Sequence, residues 1–222
     1  MIVIAINACQ AFFRDRVSLA YVGQGRSVMK VSKEKAAQNR AALVETAARL
    51  FRERGIDGVG VAEIGKAAGL THGALYAHFP SKEALAAEAL AHGLAISHSR
   101  MVSAHDGRLP TLSELLDSYL SEERRDDIAN GCALAATASE IGRQDEAISA
   151  RYSDGFEKMS AVFEKHLHAH KAKGNHREKA IAISAALIGA ISASRAALKA
   201  QPEFANEILR AVRRTVGEIA GE

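Results

Sequence analysis

The sequence predicts an all-α protein in two parts, a three-helix helix-turn-helix head followed by a larger helical domain. Three observations predict it. Alanine is abundant, prolines number three, and aromatic residues make up 5% of the 222 residues, with no tryptophan; such a mix favours helix, because Ala, Leu, Glu, Arg and Lys are strong helix formers. Apolar residues recur three and four positions apart along most of the chain from residue 38 onward, the spacing of one helical face. Glycines and prolines fall between these periodic stretches, and the one run that reads as a possible strand lies within the first 28 residues.

The elements follow in order. Residues 1–28, opening "MIVIAINACQAFF", are apolar without a basic leader, and Asn7, Cys9 and Gln10 interrupt them. The run is too short for a membrane span and a poor signal peptide. It is expected to be a disordered extension or an artefact of start-codon choice, with the folded domain beginning near "MKVSKEK" at Met29; a structured or regulatory arm is the alternative. From 38 to 54, Leu43, Ala47, Leu50 and Phe51 mark a helical face that Gly55 ends. A short helix over 61–68 turns at Gly69, where the chain calls for the left-handed conformation open to glycine. Thr71 is then expected to cap a third helix with its hydroxyl, Leu75 and Phe79 to face inward, and Ser81, after Pro80, to cap the next.

That next helix spans 81–102, with Leu85, Ala89, His92 and Ile96 along one side. Further helices are expected over 112–120, 132–141, 147–170, 177–200 and 203–219, and "SEERRDDIANG" reads as a polar loop. The 177–200 stretch is apolar around nearly its whole circumference, which makes it a core helix or a pairing surface. Three helices closing on a tight turn suit a helix-turn-helix reader whose second helix enters a DNA major groove, and a plain three-helix bundle would use the same caps.

Charge leans toward the first of these. Residues 1–83 hold 12 Lys/Arg against 7 Asp/Glu, and residues 84–222 hold 17 against 19. A basic head on a slightly acidic body suits a polyanion-facing surface. Two cysteines, Cys9 and Cys132, are too few and too far apart for a disulfide framework or a zinc site, and fit a reducing cytoplasmic setting. No Gly-rich phosphate loop, nucleophile elbow or zincin pattern is present, so neither an enzyme nor a cofactor is expected. His166, His168 and His170 lie between Lys165 and Lys171 and read as a solvated basic helix end rather than a metal site.

The segment "GVGVAEIGKAAGLTHGALYAHFPSKEALAAEAL", residues 58–90, closely resembles the DNA-binding domain of TetR/AcrR-family transcriptional regulators. The specific features are A-A-G, a short helix ending in Tyr-x-x-Phe, and the S-K-E that follows. Together with "NGCALAATASEIGRQ" at 130–144 it looks most like the YxaF/LmrA-type branch. The resemblance implies a homodimer paired through the helices near 177–200 and 203–219, a palindromic operator with half-sites about 34 Å apart, and a small-molecule effector in the larger domain. It implies a DNA-binding domain over 29–83 and an effector-binding and dimerisation domain over 84–222. A ligand-responsive regulator, more simply a repressor, is the expectation.

Thr71, at the N-terminus of the third helix, would then favour a phosphate, and His72, Gly73 and Ala74 would face base edges, where small residues allow close approach and Ala can touch a thymine methyl. Tyr76, His78 and Lys82 match sugar-phosphate contacts, and Lys33, with Lys30 and Lys35, forms a basic arm. One departure stands out. Where many members carry a Thr pair capping the second helix, this chain has Val59 and Gly60, and Ala62 stands at an often basic position. That departure supports a rival, a helical small-molecule-binding dimer without sequence-specific DNA binding. Tyr119, Cys132, Ile141, Phe156, Met159 and Phe163 are the candidate pocket residues, each also a plausible core residue. Cys132, at a helix start, also invites a sensing role.

Overall fold

The computed structural model describes residues 32–103 and 108–221, the side chain of His72 excepted, so the expectations for residues 1–28 and for Lys30 lie outside it. From Glu34 onward the chain forms one compact unit, and no strand occurs among the described residues.

Helix α1 (Lys33–Arg54) begins five residues before the expected start at 38, because "KEKAAQNR" is built mostly of helix formers with Glu34 in the favourable first turn. Leu43, Ala47, Leu50 and Phe51 are buried on that face. Helices α2 (Val61–Ala67) and α3 (His72–Tyr76) follow, then α4 (Lys82–Val102), whose cap Ser81 accepts from the Ala84 N–H at 3.2 Å.

Along α4 the buried stripe departs from expectation. Leu85 and Ala89 are buried, but Ile96 is exposed and His92 half-exposed, while Ala86, Leu90, Gly93 and Leu94 are inside. The helix serves two neighbours in turn. Its first half closes the head, and Leu94 reaches Gly155 in a later helix.

Helix α5 (Leu112–Tyr119) carries a capping box. Thr111 Oγ1 accepts from the Glu114 N–H at 3.3 Å, and Glu114 Oε2 accepts from the Thr111 N–H at 2.8 Å. The stretch expected as a loop instead holds a short helix, α6 (Glu122–Asp126), capped by Ser121 Oγ on the Arg124 N–H at 3.1 Å. Its polarity misleads because Arg125, 3% exposed, is satisfied by tertiary partners, an ion pair with Asp126 and hydrogen bonds to Asn206 and Ser194.

Helices α7 (Ala133–Ile141), α8 (Glu146–Ala169), α9 (His176–Leu198) and α10 (Pro202–Ala220) complete the fold. At the α8–α9 turn, ring nitrogens of His168 and His176 lie 3.1 Å apart. Helix α9 packs on both α8 and α10. Ile183, Leu187 and Ile191 are buried on one side, and Ser184 meets Ser160 of α8 at 3.1 Å. The opposite side is a strip of small exposed residues, Ala182, Ala185, Gly189, Ala193 and Ala196. The helix is long and apolar enough to cross a membrane, with a mean hydropathy of 1.7, but Ile183, Leu187, Ile188 and Ile191 are buried in this core, and Ile181 is its exposed large apolar side chain.

Candidate nucleic-acid interface and effector cavity

The turn between α2 and α3 is held by its own backbone. Ala68, Gly69 and Leu70 N–H groups donate to the carbonyls of Ile64, Lys66 and Gly65 at 2.9, 3.1 and 2.9 Å. Gly69 takes φ +71°, where a side chain would be strained. Below the turn, Ile64, Leu75 and Phe79 are essentially fully buried, which fixes the roll of a helix only five residues long.

That roll leaves Thr71, Gly73 and Tyr76 exposed, Tyr76 by 56%, with Ala74, His78 and Lys82 partly so. His72 opens α3 between Thr71 and Gly73. A Cβ placed on Gly73 would meet nothing within 4 Å, so packing within the chain does not require the glycine. Lys33 is exposed at the start of α1.

Two details depart from the sequence reading. Thr71 holds the cap position with extended backbone, but its side chain makes no capping bond, and its carbonyl alone accepts from the Ala74 N–H at 3.0 Å. Arg40 was missed as a support residue. Its guanidinium stacks on the Phe79 ring, 4.6 Å from the centroid, and pairs with Glu88 of α4, a cation–π contact that pins the back of α3. Nothing in local spacing links Arg40 with Phe79.

At the second helix, Val59 is fully buried and Gly60 takes the cap position without a side-chain bond. The cap is supplied by backbone, with Glu63 and Ile64 N–H groups each 3.1 Å from the Gly60 carbonyl. Helix α2 therefore forms without the hydroxyl pair.

In the second half, Tyr119, Cys132 and Met159 line one small cavity together with Leu94, His98 and Arg124. Its space is about 30 Å³, above the roughly 10–15 Å³ that a single water requires. The other three pocket candidates do not line it. Ile141 and Phe163 are buried in the core, and Phe156 lies on an open groove with Tyr152 and the Gly189 face of α9. Apolar character within the larger domain makes them pocket candidates, but it does not say which of several inward directions in a helical bundle a side chain takes.

The cavity is apolar with misfit polar groups. The Tyr119 hydroxyl and His98 Nδ1 are buried and have no hydrogen-bond partner, a costly state for a buried polar atom. Burial first, then the neighbouring Cys132, pushes the Tyr119 phenol well up, so it is a neutral donor; Arg124 and Arg195 pull the other way. Arg195 itself is lowered, chiefly by burial. His98 and Arg124 were not singled out from the sequence; Arg124 stood in the run taken for a loop, where Ser121 was the available helix-start signal.

Cavity and head are joined by named contacts. Cys132 is the N-cap of α7, and Glu140, eight residues on and roughly 12 Å along the helix, accepts from the Ile56 N–H of the α1–α2 connection at 2.7 Å. Gln144 Nε2 reaches Asp57 at 3.3 Å, and Arg52 Nε of α1 donates to the Ala129 carbonyl at 2.7 Å.

Comparison with known proteins matches residues 43–89 to the tetR family of bacterial regulatory proteins and residues 110–203 to the C-terminal domain of LmrA/YxaF-like transcriptional regulators. An uncharacterized HTH-type transcriptional regulator of Mycobacterium tuberculosis is 30% identical over 57% of this chain and 64% of its own length, just under two thirds. The HTH-type transcriptional regulator TtgR of Pseudomonas putida is 35% identical over 36% of this chain and 37% of its own. Among solved structures, reduced NemR of E. coli superposes with a TM-score of 0.67 at 22% identity, covering 82% of this chain and 96% of that one, a likeness of fold.

Proposed function

Because this chain belongs to the TetR family, with an LmrA/YxaF-like second half, we propose that it is a cytoplasmic repressor. It binds a palindromic operator as a homodimer and leaves it when a small molecule occupies the larger domain. The observation that carries this reading is the α3 surface: an exposed run of small and hydrogen-bonding residues over a rigid buried base of Ile64, Leu75 and Phe79. Residues 29–83 form the reading head and residues 84–222 the effector and pairing body.

In this reading His72, Gly73 and Ala74 face base edges, while Thr71, Tyr76, His78, Lys82 and Lys33 hold sugar and phosphate. The strip of small residues on α9, with the adjoining face of α10, pairs two subunits, since small side chains let backbones approach closely. Helix α7 links the halves: a shift of its Cys132 end displaces Glu140 and, through Ile56, the connection leading into α2. Such a shift acts only by the difference in effector affinity between the two arrangements. No catalytic role is assigned.

Binding of the purified protein to the DNA upstream of its own gene, against random DNA and across a salt series, tests the proposal. A preferred complex that weakens steeply with salt is expected. If no operator fragment selected from a random library is preferred, the alternative of a ligand-binding dimer that does not read DNA takes its place.

A further inference from the structure

The inner cavity is one of two spaces between α4 and α8. Outside it lies a wider recess of about 500 Å³ that includes Arg151, Asp154 and Lys158 at its rim. Leu94, His98 and Gly155 line both spaces. The partition is thin: a Cβ at Gly155 would fall 2.6 Å from both Leu94 methyl carbons, so the leucine side chain lies in the hollow that the glycine leaves. A leucine terminus turns by rotamer change, and the two spaces would then be continuous.

The polar groups inside state what is missing. The Tyr119 hydroxyl is a neutral donor with only the weakly accepting Cys132 thiol beside it and no well-formed hydrogen bond, and His98 Nδ1 has no partner. Arg124, on the same wall, has its backbone N–H and carbonyl engaged, and its guanidinium forms no ion pair among the described residues. No carboxylate lines the inner cavity. Apart from these groups its walls are the apolar Leu94, Met101, Leu134 and Met159, with Gly155, the Ser97 hydroxyl and the Cys132 thiol completing them.

We propose that Leu94 against Gly155 is the gate of an effector site, and that the effector is a small weak organic acid. Its apolar body replaces the leucine side chain, and its anionic oxygens are taken by Tyr119, His98 and Arg124. This rests on the reading of the larger domain as an effector domain and names its ligand class and entry. Opening the gate pushes α4 from α8, and α4 is the helix whose first turn carries Lys82 and whose Glu88 holds Arg40 behind α3.

The test is calorimetry on the full chain without DNA, using benzoate and hexanoate as acids, benzyl alcohol and hexanol as neutral analogues, and benzylamine as the cation. At least one acid should bind saturably, at least about tenfold more tightly than its neutral analogue, with no heat from the amine. Tyr119→Phe and Arg124→Gln should each weaken that acid about tenfold while leaving the unliganded melt in place. Leu94→Ala should speed association in stopped flow, and Gly155→Ala, whose methyl would fall 2.6 Å from the Leu94 methyls and expel the leucine from its hollow, should speed it too. No saturable heat from either acid, or equal binding of the alcohols, overturns the ligand class. Acid binding that is unchanged in Tyr119→Phe and Arg124→Gln overturns the site. Association rates unchanged in both gate variants overturn the gate. None of these readings uses DNA, so their failure leaves operator binding standing, and failure at the operator leaves them standing.

Discussion

The α2–α3 turn and the α4–α8 cavity solve opposite problems. The turn is a place where the Ala68, Gly69, Leu70 and Ala74 N–H groups each find a carbonyl within five residues, over fully buried Ile64, Leu75 and Phe79. The cavity joins Leu94, Tyr119, Arg124, Cys132, Gly155 and Met159 from five helices or their ends, and it leaves two buried polar atoms unpaired. The first region is built to hold one geometry for a partner outside the chain. The second carries an unfavourable cost that a partner inside it would relieve. Rigidity where a surface is read, and unsatisfied groups where a signal enters, is the difference to be tested.

The largest effect should come from removing the base of the rigid region. Phe79→Ala deletes a side chain 1% exposed and the ring under Arg40, and should cost about 3–5 kcal/mol, read as a melting point lower by roughly 6–20 °C. A loss under about 1 kcal/mol would mean that α3 is not anchored as described. Next comes the link between the regions. Glu140→Ala removes the acceptor of the Ile56 N–H and should destabilise by about 1–3 kcal/mol. More tellingly, an effector should still bind, by calorimetry, but no longer release DNA.

Tyr76→Ala should sharpen the contrast from the other side. The residue is more exposed than buried, so the melt should stay within about 0.5 kcal/mol while binding falls about tenfold on operator and random DNA alike. A selective loss on one sequence would make Tyr76 a base reader instead. The smallest effect concerns neither region. Arg108, then Thr111, hold the Glu114 carboxyl at about 2. A depressed folded value means that the contribution is present above the unfolded carboxyl range near pH 4.3 and is lost as pH falls toward 2. Glu114→Gln should flatten that part of the acid melt, and an identical acid limb would remove the capping box from the account.

Much of the head was legible because its causes are local. Gly69, Ser81, Leu75 and Phe79 act within a few residues of where they stand, and the family motif lies in one stretch. Thr71 is the exception: its side chain does not cap, because the backbone carbonyl makes the bond and the hydroxyl is left outward. In the second half, apolar character singles out Tyr119 and Met159, and its place at a helix start singles out Cys132; these three share a cavity, while Ile141 and Phe163 are buried elsewhere and Phe156 lies on an open groove. Arg125 was hidden by its charge, since a polar run looks solvated until Asn206 and Ser194 arrive from distant helices to satisfy it.

By itself, the sequence determined the helical class, the order of the helices other than α6, the turn at Gly69 and the inward places of Leu75 and Phe79. Each of these depends on backbone preference and on period, which act over three or four residues. The tertiary structure alone decided that Arg40 braces Phe79, that Glu140 holds Ile56, and that Leu94 fills the hollow at Gly155. Those contacts join residues 39 to 84 positions apart, and no local preference encodes which helices will meet.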